Sequence, residues 1–168
     1  RLRPARAADL PALLALEQTF PGDRMSARQF RHHLASPRAR WRVAEAGGKL
    51  LGYSLVLLRR DSDRARLYSI AVDPAARGQG LGRRLLAAAE KDAAQSGRTA
   101  MTLEVRQDNP TANALYQSAG YRRQAALPSY YEDGAPGWRF LKRTNPNEPG
   151  SFARSSKCTW FIWGGDRD

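Results

Sequence analysis

The sequence has few of the features that define several classes of protein. Its 168 residues include a single cysteine, Cys158, so no disulfide can form within the chain, as is typical of a reducing compartment. Apolar runs are far shorter than the roughly 18–20 residues that span a bilayer, and no signal peptide is recognisable. We therefore expect a cytoplasmic protein without membrane contact.

Histidine is also scarce, and no spacing typical of metal ligands occurs. The two histidines, His32 and His33, are adjacent on a predicted helix. Neighbouring helix residues do not share a face, so we expect both to be solvated. The sequence predicts no metal site.

Acidic residues are few relative to basic ones. Asp and Glu total 16 against 28 Lys and Arg, which gives a formal net charge of +12. Such a charge attracts polyanions, including nucleic acid, ribosomal RNA and polyphosphorylated cofactors. The basic residues are scattered along the chain, however, and frequent arginine is also what a GC-rich genome produces. Nucleic-acid contact is therefore an open possibility that the charge alone does not support.

The patterns that are present predict one folded domain. The apolar fraction of 42% and charged fraction of 26% are ordinary for globular proteins. Periodicity predicts the order β-α-α-β-β-β-α-β-α-β-β, an α/β fold of the α+β type. Meander strands followed by a βαβ unit imply a mixed sheet. We assign residues 1–143 to this domain and leave residues 144–168, a linker-like and then aromatic tail, without a fold.

Caps and turns bound several of these elements. Asp9 is predicted to cap the first helix, and Ser26 with Gln29 forms a capping box at the start of the second. A Gly-Gly turn at 47–48 predicts a hairpin, and Asn109 before a proline predicts a helix start. Strands after the first are expected at residues 41–45, 50–58, 66–72, 99–105, 121–124 and 138–142.

The strongest local signal is a glycine-rich turn between a predicted strand and a predicted helix. Its residues are Arg77, Gly78, Gln79, Gly80, Leu81 and Gly82. Glycines at alternate positions let the backbone curl and approach a ligand closely. Unpaired N–H groups and the helix dipole attract anions at a helix N-terminus, so the turn suits a pyrophosphate.

Several explanations compete for this turn. A P-loop needs Gly-Lys-Ser/Thr at the helix start, where this sequence has arginines, so we exclude it. A dinucleotide fingerprint needs a small residue in place of Arg83 and normally lies on the first βα turn, although Glu104 stands about where a ribose-binding acid belongs. Coenzyme A is the third ligand, and a turn that holds no ligand is the remaining alternative.

With these residues in view, the sequence resembles the GNAT superfamily of N-acetyltransferases. The family's phosphate-binding pattern, Arg/Gln-x-x-Gly-x-Gly/Ala, is matched by Arg77, Gly80 and Gly82, within LYSIAVDPAARGQGLGRRLL. The segment LEVRQDNPTANALYQSAGY is similar to the subgroup that acetylates protein N-termini, typified by the ribosomal-protein alanine acetyltransferases. The resemblance covers roughly residues 2–143, and it implies a mostly antiparallel sheet with a central parallel βαβ unit.

The resemblance implies acetyl-CoA as co-substrate. Backbone groups of the strand at Ile70, Ala71 and Val72 would contact the pantetheine and the thioester carbonyl, while the amides of residues 77–82 would hold the pyrophosphate. Asn109 would combine helix capping with a cofactor contact.

It also implies an acid–base pair. Glu104 matches the subgroup's general base, with an exposed strand carboxylate or a partner for Arg106 as the alternatives. Tyr116 matches the residue that contacts the cofactor and protonates the departing thiolate, with ordinary core packing as the alternative.

The resemblance also implies a binding site for the acceptor of the acetyl group, formed by aromatic residues in two loops. Tyr130 and Tyr131 resemble the peptide-side loop of N-terminal acetyltransferases, and Phe20 with Pro21 would line the opposite wall. The implied reaction is direct transfer in a ternary complex to a protein or peptide N-terminus, with ribosomal proteins as candidates. The alternatives are a small-molecule amine, a lysine side chain, or a non-catalytic CoA-binding module.

Overall fold

The computed structural model describes residues 1–20 and 24–144, which contain seven strands and four α-helices in the predicted order. The strands are β1 (Leu2–Arg3), β2 (Ala39–Ala46), β3 (Lys49–Leu58), β4 (Arg64–Val72), β5 (Ala100–Arg106), β6 (Arg122–Leu127) and β7 (Gly137–Arg143). The helices are α1 (Leu10–Glu17), α2 (Ala27–Ala35), α3 (Leu81–Gln95) and α4 (Pro110–Ser118), with 3-10 turns at Ala7–Asp9 and Pro74–Ala76. Residues 145–168 of the predicted tail lie outside the described residues, so the division at residue 143 stays a prediction.

The described strands form one sheet with the order β1-β2-β3-β4-β5-β7-β6. Every neighbouring pair is antiparallel except β4 and β5, which run parallel because α3 connects them as a crossover. The predicted mixed sheet with a central βαβ unit is therefore confirmed. None of the described helices has the length and apolar character needed to cross a membrane.

Two hydrophobic clusters cover opposite faces of this sheet. One contains residues of α3 and α4, such as Leu85, and the other contains residues of α1 and α2, such as Leu13. Along β4, Ile70 belongs to the first cluster and Ala71 to the second, as expected for neighbours on a pleated strand. We call the two sides the α3–α4 face and the α1–α2 face.

A β-bulge bends β4 at Tyr68. Where β4 pairs with β3, Ser69 lies opposite Leu55 and Leu67 lies opposite Val56, so Tyr68 has no counterpart. An extra residue of this kind increases the local twist and bends the strand that carries it.

The parallel pairing of β4 with β5 ends next to this bulge. Only three residue pairs join the strands, and the last of them is Arg66 with Thr102. Among the described residues, 67–72 of β4 and 103–106 of β5 are not paired with each other. We call the space between these two segments the β4–β5 opening. Backbone groups that border it need partners other than a neighbouring strand.

Two of the predicted helix caps are confirmed. In α2, the Gln29 N–H donates to Ser26 Oγ at 3.2 Å and the Ser26 N–H donates to Gln29 Oε1 at 2.8 Å. At the start of α4, the Asn109 side-chain oxygen accepts the N–H of Ala112 at 3.1 Å. Both helices therefore begin where side-chain chemistry predicts.

The predicted cap at Asp9 is wrong. Its carboxylate accepts the N–H of Arg6 at 2.7 Å and two hydrogen bonds from the Arg3 guanidinium, at 2.8 and 2.9 Å. Asp9 thus closes the 3-10 turn that precedes α1 instead of capping the helix. The bonds from Arg3 hold the pKa of Asp9 below its ordinary value. Sequence did not indicate this because the partner comes from β1.

A buried carboxylate ties the segment between α1 and α2 to the sheet. Glu17 is 1% exposed; its Oε1 accepts the Met25 N–H at 2.8 Å and its Oε2 accepts the Tyr53 hydroxyl at 2.7 Å. The same hydroxyl lies 2.8 Å from Ser69 Oγ, beside the bulge. Buried charges need such partners, because desolvation of an unpaired carboxylate costs several kcal/mol.

We expect Tyr53→Phe to lower the free energy of unfolding by about 1–3 kcal/mol, because it removes a donor from the buried Glu17 carboxylate. Tyr121→Phe is the matched control. It deletes a 3.2 Å bond to Glu90, a less buried carboxylate that keeps Lys142 at 2.9 Å, so its cost should stay below about 1 kcal/mol. Denaturant unfolding measures both, and equal losses would contradict the role given to the Glu17 network.

Candidate active site

The glycine-rich turn adopts the conformation that its residues predict. Gly78 has φ +81° and Gly80, the N-cap of α3, has φ +72°, which are left-handed values that favour glycine. A Cβ built on either glycine would meet no atom within 4 Å. The glycines are therefore required by the left-handed backbone conformation of the turn. They also leave open space before the first N–H groups of α3, which have no acceptor within the helix.

The strand before this turn borders the β4–β5 opening. Ile70 and Val72 pack their side chains into the cluster on the α3–α4 face, and Ala71 packs into the other cluster. With the side chains in the core, the backbone is what this segment presents to the opening. The predicted backbone contacts to a ligand are compatible with this placement, and they stay predictions.

Glu104 lies on β5, where that strand borders the opening, and it is only 3% exposed. Its Oε2 accepts Arg66 Nε–H at 3.0 Å and its Oε1 accepts Arg139 Nε–H at 3.2 Å. Because Leu103 and Val105 pack on the α3–α4 face, the alternating strand directs Glu104 toward the α1–α2 face.

Both alternatives considered for Glu104 are wrong. The carboxylate is buried instead of exposed, and Arg106 is not its partner. Arg106 donates instead to Asp108 at 3.0 Å and to Asp133 at 2.6 Å. Arg106 therefore anchors the loop before β7, while Glu104 is held from the two strands beside its own.

Tyr116, on α4, is completely buried, and its ring packs near Tyr121 and Phe140, with centroids 5.8 and 6.3 Å away. Its hydroxyl has no hydrogen-bond partner among the described residues. Burial, with a smaller contribution from the nearby Tyr131, raises the pKa of this phenol well above its usual range. A buried hydroxyl without a partner is costly, so this atom fits a site that a ligand group completes.

The aromatic loop between β6 and β7 is well anchored. Tyr131 is buried, its ring stands edge-on to Tyr130 at 5.1 Å, and the Arg106 guanidinium lies 5.0 Å from its centroid. A Cβ on Gly137 would come within 3.1 Å of the Tyr131 ring, so this glycine gives the ring its space. Tyr130 is only half-buried.

The other predicted residues are less clearly placed at a site. Phe20 is 1% exposed and packs in the hydrophobic cluster of the α1–α2 face, so its side chain is part of the core. Pro21 lies outside the described residues. Asn109 caps α4, and its predicted contact with a cofactor stays a prediction, as do the substrate contacts of Phe20, Tyr130 and Tyr131.

Comparisons with known proteins identify the family to which the chain belongs. Residues 9–121 match the model of the acetyltransferase (GNAT) family. The N-alpha-acetyltransferase RimI of Mycobacterium tuberculosis is 40% identical over 129 residues, which cover 75% of this chain and 77% of that protein. The chain belongs to the GNAT family of acetyltransferases.

Two further comparisons concern Escherichia coli. Its ribosomal protein bS18-alanine N-acetyltransferase is 32% identical over 123 residues, 73% of this chain and 81% of that protein. The crystal structure of the ribosomal-protein-S18-alanine N-acetyltransferase superposes with a TM-score of 0.79 at 27% identity, covering 92% of this chain and 99% of that one. The predicted family resemblance, including its subgroup, is therefore confirmed.

The sequence did not indicate the two residues that hold Glu104 in the candidate site. Arg66 and Arg139 lie on different strands, and nothing in their local sequence separates them from the other arginines. Their positions follow only from the register, which pairs Arg139 with Glu104 and Arg66 with Thr102. Strand alternation places both arginines on the same face of the sheet as Glu104, but only the strand order brings them within hydrogen-bond distance of its carboxylate.

The histidines also differ from expectation. The rings of His32 and His33 stand edge-to-face with centroids 5.1 Å apart, and His33 packs 5.0 Å from the Tyr68 ring. The expectation that they do not share a face and are both solvated is therefore wrong for His33, which is half-buried. Within residues 1–20 and 24–144, no group of three or more His, Cys, Asp or Glu is arranged to hold a metal ion.

Proposed function

We propose that the protein transfers the acetyl group of acetyl-CoA to the N-terminal α-amine of a protein or peptide. The observation that carries the proposal is the β4–β5 opening. The glycine-rich turn follows its β4 edge after one 3-10 turn, Glu104 lies on its β5 edge, and Tyr116 packs in the same cluster as Ile70 and Val72. We therefore expect an anion site, a carboxylate and a proton donor to meet at one gap in the sheet.

The residues fit acetyl-CoA. The open turn of residues 77–82 would hold the pyrophosphate, and the β4 edge at residues 70–72 would hold the pantetheine. The Tyr116 hydroxyl has no hydrogen-bond partner in the described part of the chain, so it supplies a buried donor that a bound sulfur would satisfy. When bound, acetyl-CoA supplies the acetyl group as a thioester.

The acceptor must reach the site as a free amine. At pH 7.5 an α-amine with a pKa near 8 is about a quarter neutral, whereas a lysine near 10.4 is only about 0.1% neutral. Deprotonation therefore costs a lysine about 4 kcal/mol but an α-amine less than about 1. A single carboxylate is adequate help for the α-amine.

Glu104 provides that carboxylate. A carboxylate has about four lone-pair sites, and the two guanidinium bonds use two of them. The remaining sites accept the amine proton directly or through a water as the nitrogen bonds to the carbonyl carbon. As the carbon–sulfur bond breaks, Tyr116 gives its phenolic proton to the sulfur and is then reprotonated from solvent.

The relatives support the choice of acceptor. One is named an N-alpha-acetyltransferase and another a ribosomal protein bS18-alanine N-acetyltransferase. A panel of Ala-initiated peptides, internal-lysine peptides and small amines, assayed with labelled acetyl-CoA, tests the proposal. Turnover confined to the lysine peptides or small amines would contradict it, and CoA binding without any turnover would make the chain a binding module.

We expect Glu104→Gln to lower turnover by about 10²–10⁴-fold while CoA affinity, measured by calorimetry, is retained, because the amide cannot accept the proton. Asp92→Asn is the matched control. Asp92 is also a buried carboxylate held by a guanidinium, from Arg42 at 2.6 Å, but it lies on the far half of α3. Unchanged turnover in Glu104→Gln would assign Glu104 a purely structural role.

We expect Tyr116→Phe to reduce kcat by about 10²-fold, since the departing sulfur loses its proton donor. Because the pKa of Tyr116 is raised, the phenol stays protonated throughout the working range, and kcat should show no alkaline decline due to this residue below about pH 10. The pH–rate profiles of both proteins check this. A decline near neutral pH that disappears in Tyr116→Phe would contradict the assignment.

We expect Gly80→Ala to weaken CoA binding. An alanine at φ +72° costs about 1–2 kcal/mol of stability, and its Cβ would occupy the open space of the turn. Gly47→Ala is the matched control, because Gly47 has φ +57° and equally open surroundings in the β2–β3 hairpin. Calorimetry should show similar stability losses but weaker CoA binding in Gly80→Ala alone. Equal CoA affinity in the two variants would contradict the phosphate site.

A further inference from the structure

A basic pocket of about 550 Å³ lies on the α1–α2 face, beside the end of α2 and the β3–β4 connection. Its lining includes six basic side chains: His32, His33, Arg38, Arg59, Arg60 and Arg66. No carboxylate of the described residues contributes to the lining. The remaining lining residues are uncharged: Ser36, Pro37, Leu57 and Leu58. The arginines of the lining thus carry charge of one sign, which is unlike the mixed charge of most protein surfaces.

The pocket adjoins the candidate active site through a shared residue. Arg66 lines the pocket and also donates to Glu104 at 3.0 Å. The Arg66 guanidinium lies 5.5 Å from the Tyr68 ring centroid, and His33 packs 5.0 Å from the same ring. Contacts among Arg66, Tyr68 and His33 therefore connect Glu104 to the pocket. They lie on the α1–α2 face, toward which Glu104 is directed.

The positive charge of the pocket is available to a ligand. Arg38, Arg59 and Arg60 are exposed, and no carboxylate of residues 1–20 and 24–144 forms an ion pair with them. Burial, and next the neighbouring His32, lower the pKa of His33, so its imidazole is neutral near pH 7. The three arginines therefore supply the charge that faces solvent.

We propose that this pocket binds an acidic side chain of the acceptor polypeptide, at about the third to fifth residue from the reactive amine. The inference rests on the proposed function, since it needs a peptide acceptor at Glu104. A single arginine side chain separates Glu104 from the pocket, and an extended chain advances about 3.3 Å per residue, so a few residues reach it. Nucleic acid is the less favoured ligand, because the positive groups converge on one concavity instead of following a backbone track.

The test uses Ala-initiated peptides that differ only in Glu or Gln at positions three to five. With the full chain at low ionic strength, kcat/KM for the Glu peptides should exceed that for the Gln peptides by about fivefold, the order expected of a solvent-exposed ion pair. The difference should shrink as salt rises, because ions screen exposed charges.

Charge reversal supplies the matched variants. Arg60→Glu should abolish or invert the preference, so that Lys peptides become better than Glu peptides. Arg31→Glu changes the net charge equally from an exposed position on α2 outside the pocket, and it should keep the preference. Circular dichroism checks that both variants are folded.

The binding of C-terminally labelled peptides, followed by fluorescence anisotropy, separates this inference from the function on which it rests. Acetylation without any difference between Glu and Gln peptides, or equal effects of the two variants, would overturn the pocket alone. Arg60-dependent binding of Glu peptides without acetylation would support the pocket and overturn the proposed function. Displacement of the peptide by a short RNA, lost in Arg60→Glu, would reassign the pocket to nucleic acid and overturn the inference.

Discussion

The bulge at Tyr68 is the constraint on which the candidate site depends. In a regular parallel pair, β4 and β5 would stay hydrogen-bonded along their length, and the centre of the sheet would be closed. The extra residue bends β4 at the point where its pairing with β5 ends. The sheet thereby gives up ladder bonds at its centre and gains an opening bordered by backbone groups. Ser69 then fixes the bulge to Tyr53 and the buried Glu17.

Electrostatics holds the two sides of this opening together. Glu104 comes from β5, and its partners come from β4 and from β7, so one buried carboxylate links three strands where the ladder is interrupted. A buried ion pair contributes little net stability, because desolvation offsets most of its Coulomb energy. Its value here is geometric, because paired guanidinium groups fix the direction of the carboxylate. The Arg66 side chain also lines the basic pocket, so it connects that pocket to Glu104.

Local chemistry was enough to predict much of this structure. Element order, the mixed sheet, the Ser26 and Asn109 caps and the glycine turn depend on residues close in sequence, where periodicity and capping rules apply. The partners of Asp9, Glu104 and Arg106 were not predictable in this way. Asp9 is held from β1 and Glu104 from β4 and β7, so their environments depend on tertiary register. A single sequence carries no signal for the bulge at Tyr68 either.

The placement of the proposed acid–base pair favours direct transfer. Glu104 is directed to the α1–α2 face, whereas Tyr116 packs in the cluster of the α3–α4 face. An intact sheet would keep the two groups apart, so they can serve one reaction only through the β4–β5 opening. In the proposed reaction, the amine approaches and loses its proton on one side, while the sulfur departs and gains a proton on the other. The proposed reaction therefore needs both substrates present at once, so the topology of the sheet favours a ternary complex.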